Sequence, residues 1–499
     1  MMSGSFSPFP EAGMAVRDNP GLLAGLDALH LNDLTADSRE VNSGRAFVAY
    51  PGEARDGRDF IPDAIRRGAP AVLWEREGFT WHGEWRIANL GIPHLKACAS
   101  DIAARVYGDP SALLWMVGVT GTNGKTSTTQ WIAQCLSEIG RKSALIGTLG
   151  QGFAGQLSPA SNTTPDAIVL QRALRDMHGA GAQACAMEVS SHGIEQGRVA
   201  GIEFDVALFT NLTRDHLDYH GSMENYAESK ARLFQARGLK TAVLNIDDAF
   251  GRELEDRLRG TPLQVITYAL GKGDLSARIE RLDTAGMAFT LQGKWGGAHI
   301  ESPLLGRFNV ANLLGVIGVL LASGVTLHDA AQAVRTLRPV AGRMQTIGGN
   351  GQPRVVIDYA HTPDALEKVL ATLHATLGGA QRLICVFGCG GDRDRGKRPL
   401  MGGIATSLAQ HVIVTSDNPR SENPGDIFDD IVAGMPAAGY EVIADRREAI
   451  FAAIRNARPD DVVLIAGKGH EDYQEIAGTR HPFSDLAVAS AALHMREAA

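Results

Sequence analysis

Val117-Gly118-Val119-Thr120-Gly121-Thr122-Asn123-Gly124-Lys125-Thr126 ends an apolar run that begins at Leu113, and a helix-like stretch from Ser127 to Ile139 follows it. Strand, glycine-rich turn, Lys-Thr and helix are the parts of a phosphate-binding loop. Backbone N–H groups of such a turn, and of the helix N-terminus behind it, point at an anion. Lys125 adds a positive charge and Thr126 a hydroxyl for Mg²⁺. The spacing departs from the strict Walker form, because the nearest first glycine, Gly118, stands one residue too early. Gly121, Thr122, Asn123, Gly124, Lys125, Thr126 and Ser127 are thus the expected cradle for ATP or GTP.

Outward from that loop, alternation sets the architecture. Apolar runs at Ala144 to Ile146, Gln183 to Val189, Val206 to Thr210 and Thr241 to Asn245 alternate with helical stretches. This predicts βαβ units and a mostly parallel sheet with helices. Residues 273 to 301 show period-two alternation, the mark of an antiparallel excursion. A break at Leu337-Arg338-Pro339 precedes a second set of strands at Arg354 to Asp358, Leu383 to Phe387, Val412 to Thr415 and Val462 to Ala466. Before the loop, short runs at Arg45 to Tyr50 and Ala71 to Trp74 end at the Asp109-Pro110 turn. The expected fold is therefore α/β in three domains. A smaller N-terminal α/β domain covers 1–110, a central domain of phosphate-loop type covers 111–341, and a Rossmann-like α/β domain covers 342–499.

Composition narrows the class. The 499 residues are 44% hydrophobic and 21% charged, as in a globular enzyme. No apolar run approaches the roughly 18 residues of a membrane span, and Met1 to Pro20 lacks the pattern of a secretion signal. A net charge of −8 argues against a nucleic-acid-binding surface. Five scattered cysteines (Cys98, Cys135, Cys185, Cys385, Cys389) fit free thiols in a reducing cytosol better than a metal site, since no second pair completes Cys385 and Cys389. The expectation is a cytoplasmic monomer without membrane or nucleic-acid partners.

Polar clusters follow the central strands, where ligands collect in a doubly wound sheet. They are Ser161-Asn162-Thr163-Thr164-Pro165, Met187-Glu188-Val189-Ser190-Ser191-His192-Gly193, and the run from Thr210 to His220. Glu188 and His216 are candidate Mg²⁺ ligands at strand ends. Each alone reads as an ordinary polar residue, but three such clusters in one domain read as a site.

These clusters resemble the Mur ligase family, which builds the peptide stem of peptidoglycan. The resemblance runs through Gly121 to Thr126, Glu188 to Gly193, Asn211 to Asp218, Gly306 to Asn312, Gly342-Arg343-Met344 and Asp358 to Leu366. It matches more loosely at Asp37-Ser38-Arg39. Asp417-Asn418-Pro419-Arg420, with Gly390 to Asp394 and Gly467 to Glu471, is similar to the family's diaminopimelate-adding members rather than its lysine-adding ones. A guanidinium grips a distal carboxylate that lysine lacks, while Asp and Asn orient the neighbouring ammonium.

The resemblance implies an ATP-dependent amide ligase that adds meso-diaminopimelate to UDP-N-acetylmuramoyl-L-alanyl-D-glutamate through an acyl phosphate, with Mg²⁺ as cofactor. It implies that Lys125, His216, Arg343 and Lys230, the last as a carbamate, are catalytic, and that Thr126, Glu188, His216 and Lys230 hold metal. Asn309, Arg343 and Asp358 join the loop in binding ATP. Ser38, Glu53, Ala54, Arg55, Asn162, Thr163, Thr164, Ser190, Gln196 and Arg198 bind the UDP substrate. Arg393, Asp417, Asn418, Pro419, Arg420, Gly467 and Glu471 surround the amino acid. Gly342 is a hinge candidate. The rivals are folylpolyglutamate synthetase, a lysine-adding ligase, and a nucleotide switch without ligase chemistry.

Overall fold

The computed structural model describes residues 16–52, 55–160, 162–283, 285–378 and 380–497; Glu53 and Ala54 lie outside them. The chain forms two compact units, one of residues up to Ala277 with Leu291–Ala298 and Ala311–Val334, the other of Arg278–Thr290, His299–Val310 and Arg335 onward.

In the first unit, a four-stranded parallel sheet runs Leu34–Thr35, Ala46–Ala49, Ala71–Glu75, Ala88–Ile92. Every residue of Ala46–Ala49 and Ala71–Glu75 is buried, as befits parallel strands covered on both faces. The helix Ala167–Gly179 ties this sheet to the next. Arg172 donates to Asp33 Oδ1 at 3.1 Å and to the Leu34 carbonyl, and Gln171 Nε2 donates to Gly201 O at 3.2 Å.

The large sheet has eleven strands. Its parallel core reads Gln264–Ala269, Thr241–Asn245, Val206–Phe209, Trp115–Thr120, Ala184–Glu188, Ser143–Gly147 in spatial order. Trp115–Thr120 lies between strands that arrive from opposite directions of winding, which is where an open α/β sheet opens a crevice for ligand. At one edge, Gly150–Phe153 and Gln156–Ser158 extend the sheet as antiparallel strands that the sequence pattern had not marked. At the other, Leu275–Asp283, Gly286–Gly293 and Gly296–Ser302 are neighbours joined by two residues each, so they run antiparallel as period-two alternation predicts.

The second unit carries a six-stranded sheet in the order Gln345–Gly348, Arg354–Asp358, Val462–Ala466, Leu383–Phe387, His411–Val414, Tyr440–Val442. The first pair is antiparallel and the rest parallel. Successive residues serve opposite cores: Val356, Leu383, Cys385 and Phe387 face one, and Val355, Ile357, Ile384 and Val386 the other. Helices Arg446–Asn456 and Asp485–Glu497 cover the second face. Cys385 and Cys389 are buried free thiols, both pushed up to about 12 by burial. No helix among the described residues is long and apolar enough to cross a membrane.

Candidate active site

The phosphate loop leaves the C-terminal end of Trp115–Thr120 and enters the helix Lys125–Glu138, two residues earlier than the apolar pattern predicts. Gly121 has φ +144°, and a Cβ there would meet Thr210 Oγ1 at 2.0 Å, so only glycine fits. The loop is fixed from outside. Asn123 N–H donates to Asn211 Oδ1 at 3.0 Å, Asn211 Nδ2 returns a bond to Asn123 O at 3.0 Å, and Thr210 Oγ1 donates to the same carbonyl at 2.6 Å. Lys125 curls over the turn, donating to Gly121 O at 2.8 Å and Thr122 O at 2.9 Å.

Beside the loop stands Glu188, the last residue of Ala184–Glu188 and only 1% exposed. Its carboxylate accepts from Thr126 Oγ1 at 3.1 Å, Thr148 N–H at 2.8 Å and Thr148 Oγ1 at 3.2 Å. A Cβ on Gly147 would strike Glu188 Oε1 at 2.2 Å, so that glycine keeps the pocket open. A hard carboxylate beside a hydroxyl suits Mg²⁺, which takes one or two protein oxygens plus substrate phosphates. Among the described residues no group of three or more His, Cys, Asp or Glu side chains is arranged to hold a metal. Thr126 and Glu188 therefore fit the ion as part of a shell. His216 is paired to Asp215 Oδ2 at 3.4 Å and packed edge-on against His192.

Lys230, on the helix Met223–Ala231, is 1% exposed and donates to Gly121 O at 3.0 Å, the carbonyl that Lys125 also uses. Burial, and then the Lys125 charge, push its ammonium well below the usual lysine range, with Asp215 opposing. Its ammonium lies 4.2 Å from the Tyr226 ring centroid. A lysine so placed gives up its proton more readily than a solvated one, and the neutral amine is the form that reacts with CO₂ to give a carbamate.

The structure gathers most of the expected UDP-substrate residues. Thr164 Oγ1 donates to Glu188 O at 2.9 Å and lies 3.1 Å from Ser190 Oγ. Arg198 reaches Thr164 O at 2.6 Å and Gln196 Oε1 at 2.9 Å, and Thr163 lies 3.0 Å from the Thr148 hydroxyl. Asn162 is exposed beside them. Ser38 is buried and Arg55 exposed. Tyr50, absent from the sequence expectations, donates to Asp166 Oδ2 at 3.3 Å from the first sheet.

In the second unit, the expected amino-acid residues meet where two strands end. Asn418 Nδ2 donates to Glu471 Oε2 at 2.9 Å, and a Cβ on Gly467 would sit 2.5 Å from Asp417 Oδ2. Arg420, at φ +51°, gives its Nη1 to Gly391 O at 2.7 Å and has Nε 3.7 Å from Glu475 Oε2. Its backbone pairs with the hairpin Tyr473–Ile476/Thr479–Pro482: Arg420 N–H to Glu475 O at 3.0 Å, Ala477 N–H to Arg420 O at 2.7 Å. Arg393 is exposed on the neighbouring turn, and Pro419 is buried. Asp358 is buried, each oxygen taking a backbone N–H at 2.8 Å, from Ala360 and Met344. Burial raises its carboxyl against the pull of Arg343, whose guanidinium lies 4.6 Å from the Tyr359 ring centroid. Asn309, buried, donates to Leu305 O at 2.7 Å. Gly342 has φ +64°, and a Cβ there would lie 2.2 Å from His470 N, so the position requires glycine. Thr148 and Lys468 are site builders that the sequence reading does not single out; Lys468, flanked by two glycines within a quoted motif, carries a legible signal.

The chain is similar to known proteins. Family models match in three places: the Mur ligase family catalytic domain over residues 30–107, the Mur ligase middle domain over 119–320, and the Mur ligase glutamate ligase domain over 342–469. A Chromobacterium violaceum protein named UDP-N-acetylmuramoyl-L-alanyl-D-glutamate--2,6-diaminopimelate ligase is 53% identical over 476 residues, covering 95% of this chain and 96% of its own. A Pseudomonas aeruginosa protein of the same name is 51% identical over 470 residues, covering 93% and 95%. A solved structure of an enzyme so named superposes with a TM-score of 0.70 at 40% identity, covering 94% of this chain and 95% of that one. The MurF ligase of Thermotoga maritima, 18% identical with a TM-score of 0.65, shares the fold. The chain belongs to the Mur ligase family.

Proposed function

We propose that this enzyme, an ATP-dependent ligase of peptidoglycan precursor synthesis, joins meso-diaminopimelate to the glutamate carboxylate of UDP-N-acetylmuramoyl-L-alanyl-D-glutamate. The observation that carries the choice of amine is Arg420, held by its own backbone to a hairpin and by its guanidinium to Gly391. A guanidinium in that setting is built to take a carboxylate bidentately, and L-lysine has no second carboxylate to offer.

A carboxylate is a poor electrophile, so its oxygen first attacks the γ-phosphorus of ATP, ADP departs, and an acyl phosphate results. The amine then attacks the acyl carbon, phosphate leaves, and the amine proton goes to solvent or base. The protein's share is positioning and charge neutralisation. Lys125, which lies over the loop, and the loop N–H groups would bind the transferring phosphoryl group. Thr126 and Glu188 would hold Mg²⁺, which would supply charge neutralisation; His216 and Lys230 complete the assignment by resemblance, Lys230 as a carbamate. Mass spectrometry of the native enzyme with CO₂ supplied is expected to show the adduct on the Lys230 peptide, absent from Lys230→Met.

The resemblance also assigns Asn309, Arg343 and Asp358 to the nucleotide. Ser38, Arg55, Asn162, Thr163, Thr164, Ser190, Gln196 and Arg198 take the UDP substrate, and Arg393, Asp417, Asn418, Arg420, Gly467 and Glu471 take the amino acid. Three functional domains, 1–110, 111–341 and 342–499, belong to the same reading, as does a monomeric state.

The deciding experiment is phosphate release from ATP with the UDP substrate, comparing meso-diaminopimelate and L-lysine for wild type and Arg420→Ala. Release with diaminopimelate alone, lost in Arg420→Ala, is expected. Equal turnover of lysine by wild type overturns the Arg420 argument; no turnover with either amine overturns the substrate assignment.

A further inference from the structure

Lys468 sits between Gly467 and Gly469, just past the end of the strand Val462–Ala466, with none of its side chain exposed. Its ammonium donates to Asn418 Oδ1 at 3.0 Å and Glu471 Oε2 at 2.9 Å, and stands 3.8 Å from Asp417 Oδ1. Asn418 Oδ1 accepts a second bond, from Glu475 N–H at 2.9 Å, while Asn418 Nδ2 donates to Glu471 Oε2.

These contacts settle which way the carboxamide points. An ammonium and a peptide N–H only donate, so the atom where they meet is the oxygen. A carboxylate only accepts, so the atom facing Glu471 is the nitrogen. Three partners agree. Both lone pairs of the Asn418 oxygen are then occupied, which leaves it nothing with which to receive a substrate ammonium. Its nitrogen keeps a second N–H, which suits a carboxylate. Glu471 keeps its other oxygen, which suits an ammonium. This polarity differs from the expectation that Asn418 orients the ammonium.

We propose that Lys468 is a positioning residue that sets the polarity of the amino-acid site, holding Asn418 as a donor to a substrate carboxylate and Glu471 as the acceptor of its ammonium. The proposal rests on the diaminopimelate reading above. It makes Lys468 a determinant of how a zwitterion is oriented, although the lysine itself is sealed from solvent. Without the ammonium, the carboxamide oxygen keeps only the Glu475 N–H and so is held less firmly, and Glu471 loses the cation beside it.

Steady-state kinetics on the full-length enzyme test this, with KM measured separately for meso-diaminopimelate, ATP and the UDP substrate. Lys468→Met is expected to raise KM for diaminopimelate about 10- to 100-fold, the range for losing hydrogen bonds to charged groups. KM for the other two substrates should stay within roughly threefold, since uniform loss of binding shows in one substrate's KM alone. Lys468→Gln, which keeps an N–H donor without the charge, should fall between wild type and Lys468→Met. An unchanged KM for diaminopimelate in Lys468→Met, or a parallel rise in all three KM values, overturns the role of Lys468 while leaving the ligase reading intact. Loss of folding in both variants assigns Lys468 to stability and overturns it too. A wild type whose phosphate release ignores diaminopimelate overturns the functional reading, and the ligand named here with it.

Discussion

At the residue scale, the chemistry turns on groups whose ordinary behaviour the fold has altered. Lys230 is buried and shares one carbonyl with Lys125, so its folded-state pKa falls below the unfolded value. The unfolded chain then binds the extra proton between the depressed folded value and about 10.4, and stability rises with pH across that window. In CO₂-free buffer, denaturant midpoints are expected to climb from neutral pH toward pH of about 10, and to climb less in Lys230→Met. Identical slopes in the two proteins would assign the pH dependence to other groups. Gly342 gives a second test at this scale. A side chain there meets left-handed backbone, costing roughly 1–2 kcal/mol, and also collides with His470 N. Gly342→Ala should lose at least about 2 kcal/mol of stability, read from urea unfolding; a neutral substitution would show that the contact yields.

At the element scale, two strand ends of the second unit are tied from behind. Arg446, on the helix Arg446–Asn456, forms a fully buried pair with Asp485 at the start of the last helix, through bonds of 2.8 Å. The same guanidinium donates to Ser416 O at 3.3 Å and Ala466 O at 2.9 Å, the residues just before Asp417 and Gly467. One ion pair thus fixes the origin of both segments that carry the amino-acid site. Removing one partner leaves a buried charge without its counterion, which costs about 3–5 kcal/mol. Asp485→Ala should show that loss in thermal or chemical unfolding. Arg446→Met combined with Asp485→Leu should recover much of the stability but not the KM for the amino acid, because the carbonyl ties are gone. Recovery of both would reduce the pair to packing.

At the scale of the whole molecule, each compact unit has its own buried cores, and the eleven-stranded and six-stranded sheets are built on separate apolar clusters. Such chains depart from a single two-state transition. Calorimetry of the free enzyme is expected to give a van't Hoff enthalpy below the calorimetric one. Nucleotide at about 100 times its Kd should stabilise the enzyme by about 2.7 kcal/mol, an effect that Lys125→Ala should abolish. A shift that survives Lys125→Ala would place the nucleotide elsewhere.

Much of this was legible in the chain itself. Strands buried on both faces read as unbroken apolar runs, so Thr241–Asn245, Arg354–Asp358, Leu383–Phe387 and Val462–Ala466 stand where the pattern put them. The phosphate loop was legible because its chemistry is local: glycines, Lys125 and Thr126 lie within six residues. The hairpin Gly150–Phe153/Gln156–Ser158 was not, since it is glycine-rich, half-exposed and short of apolar alternation. Nor was the pairing of Thr148 with Glu188, the shared carbonyl of Lys125 and Lys230, or the turn of the Asn418 carboxamide. Each depends on residues tens of positions apart, and local propensity carries no information about which distant partner will arrive. The sequence determined most of the elements, the family and the inventory of chemical groups. Tertiary structure alone decided which groups lost their water, which donors met which acceptors, and hence what each titrates and binds, because desolvation and hydrogen-bond direction are properties of packing.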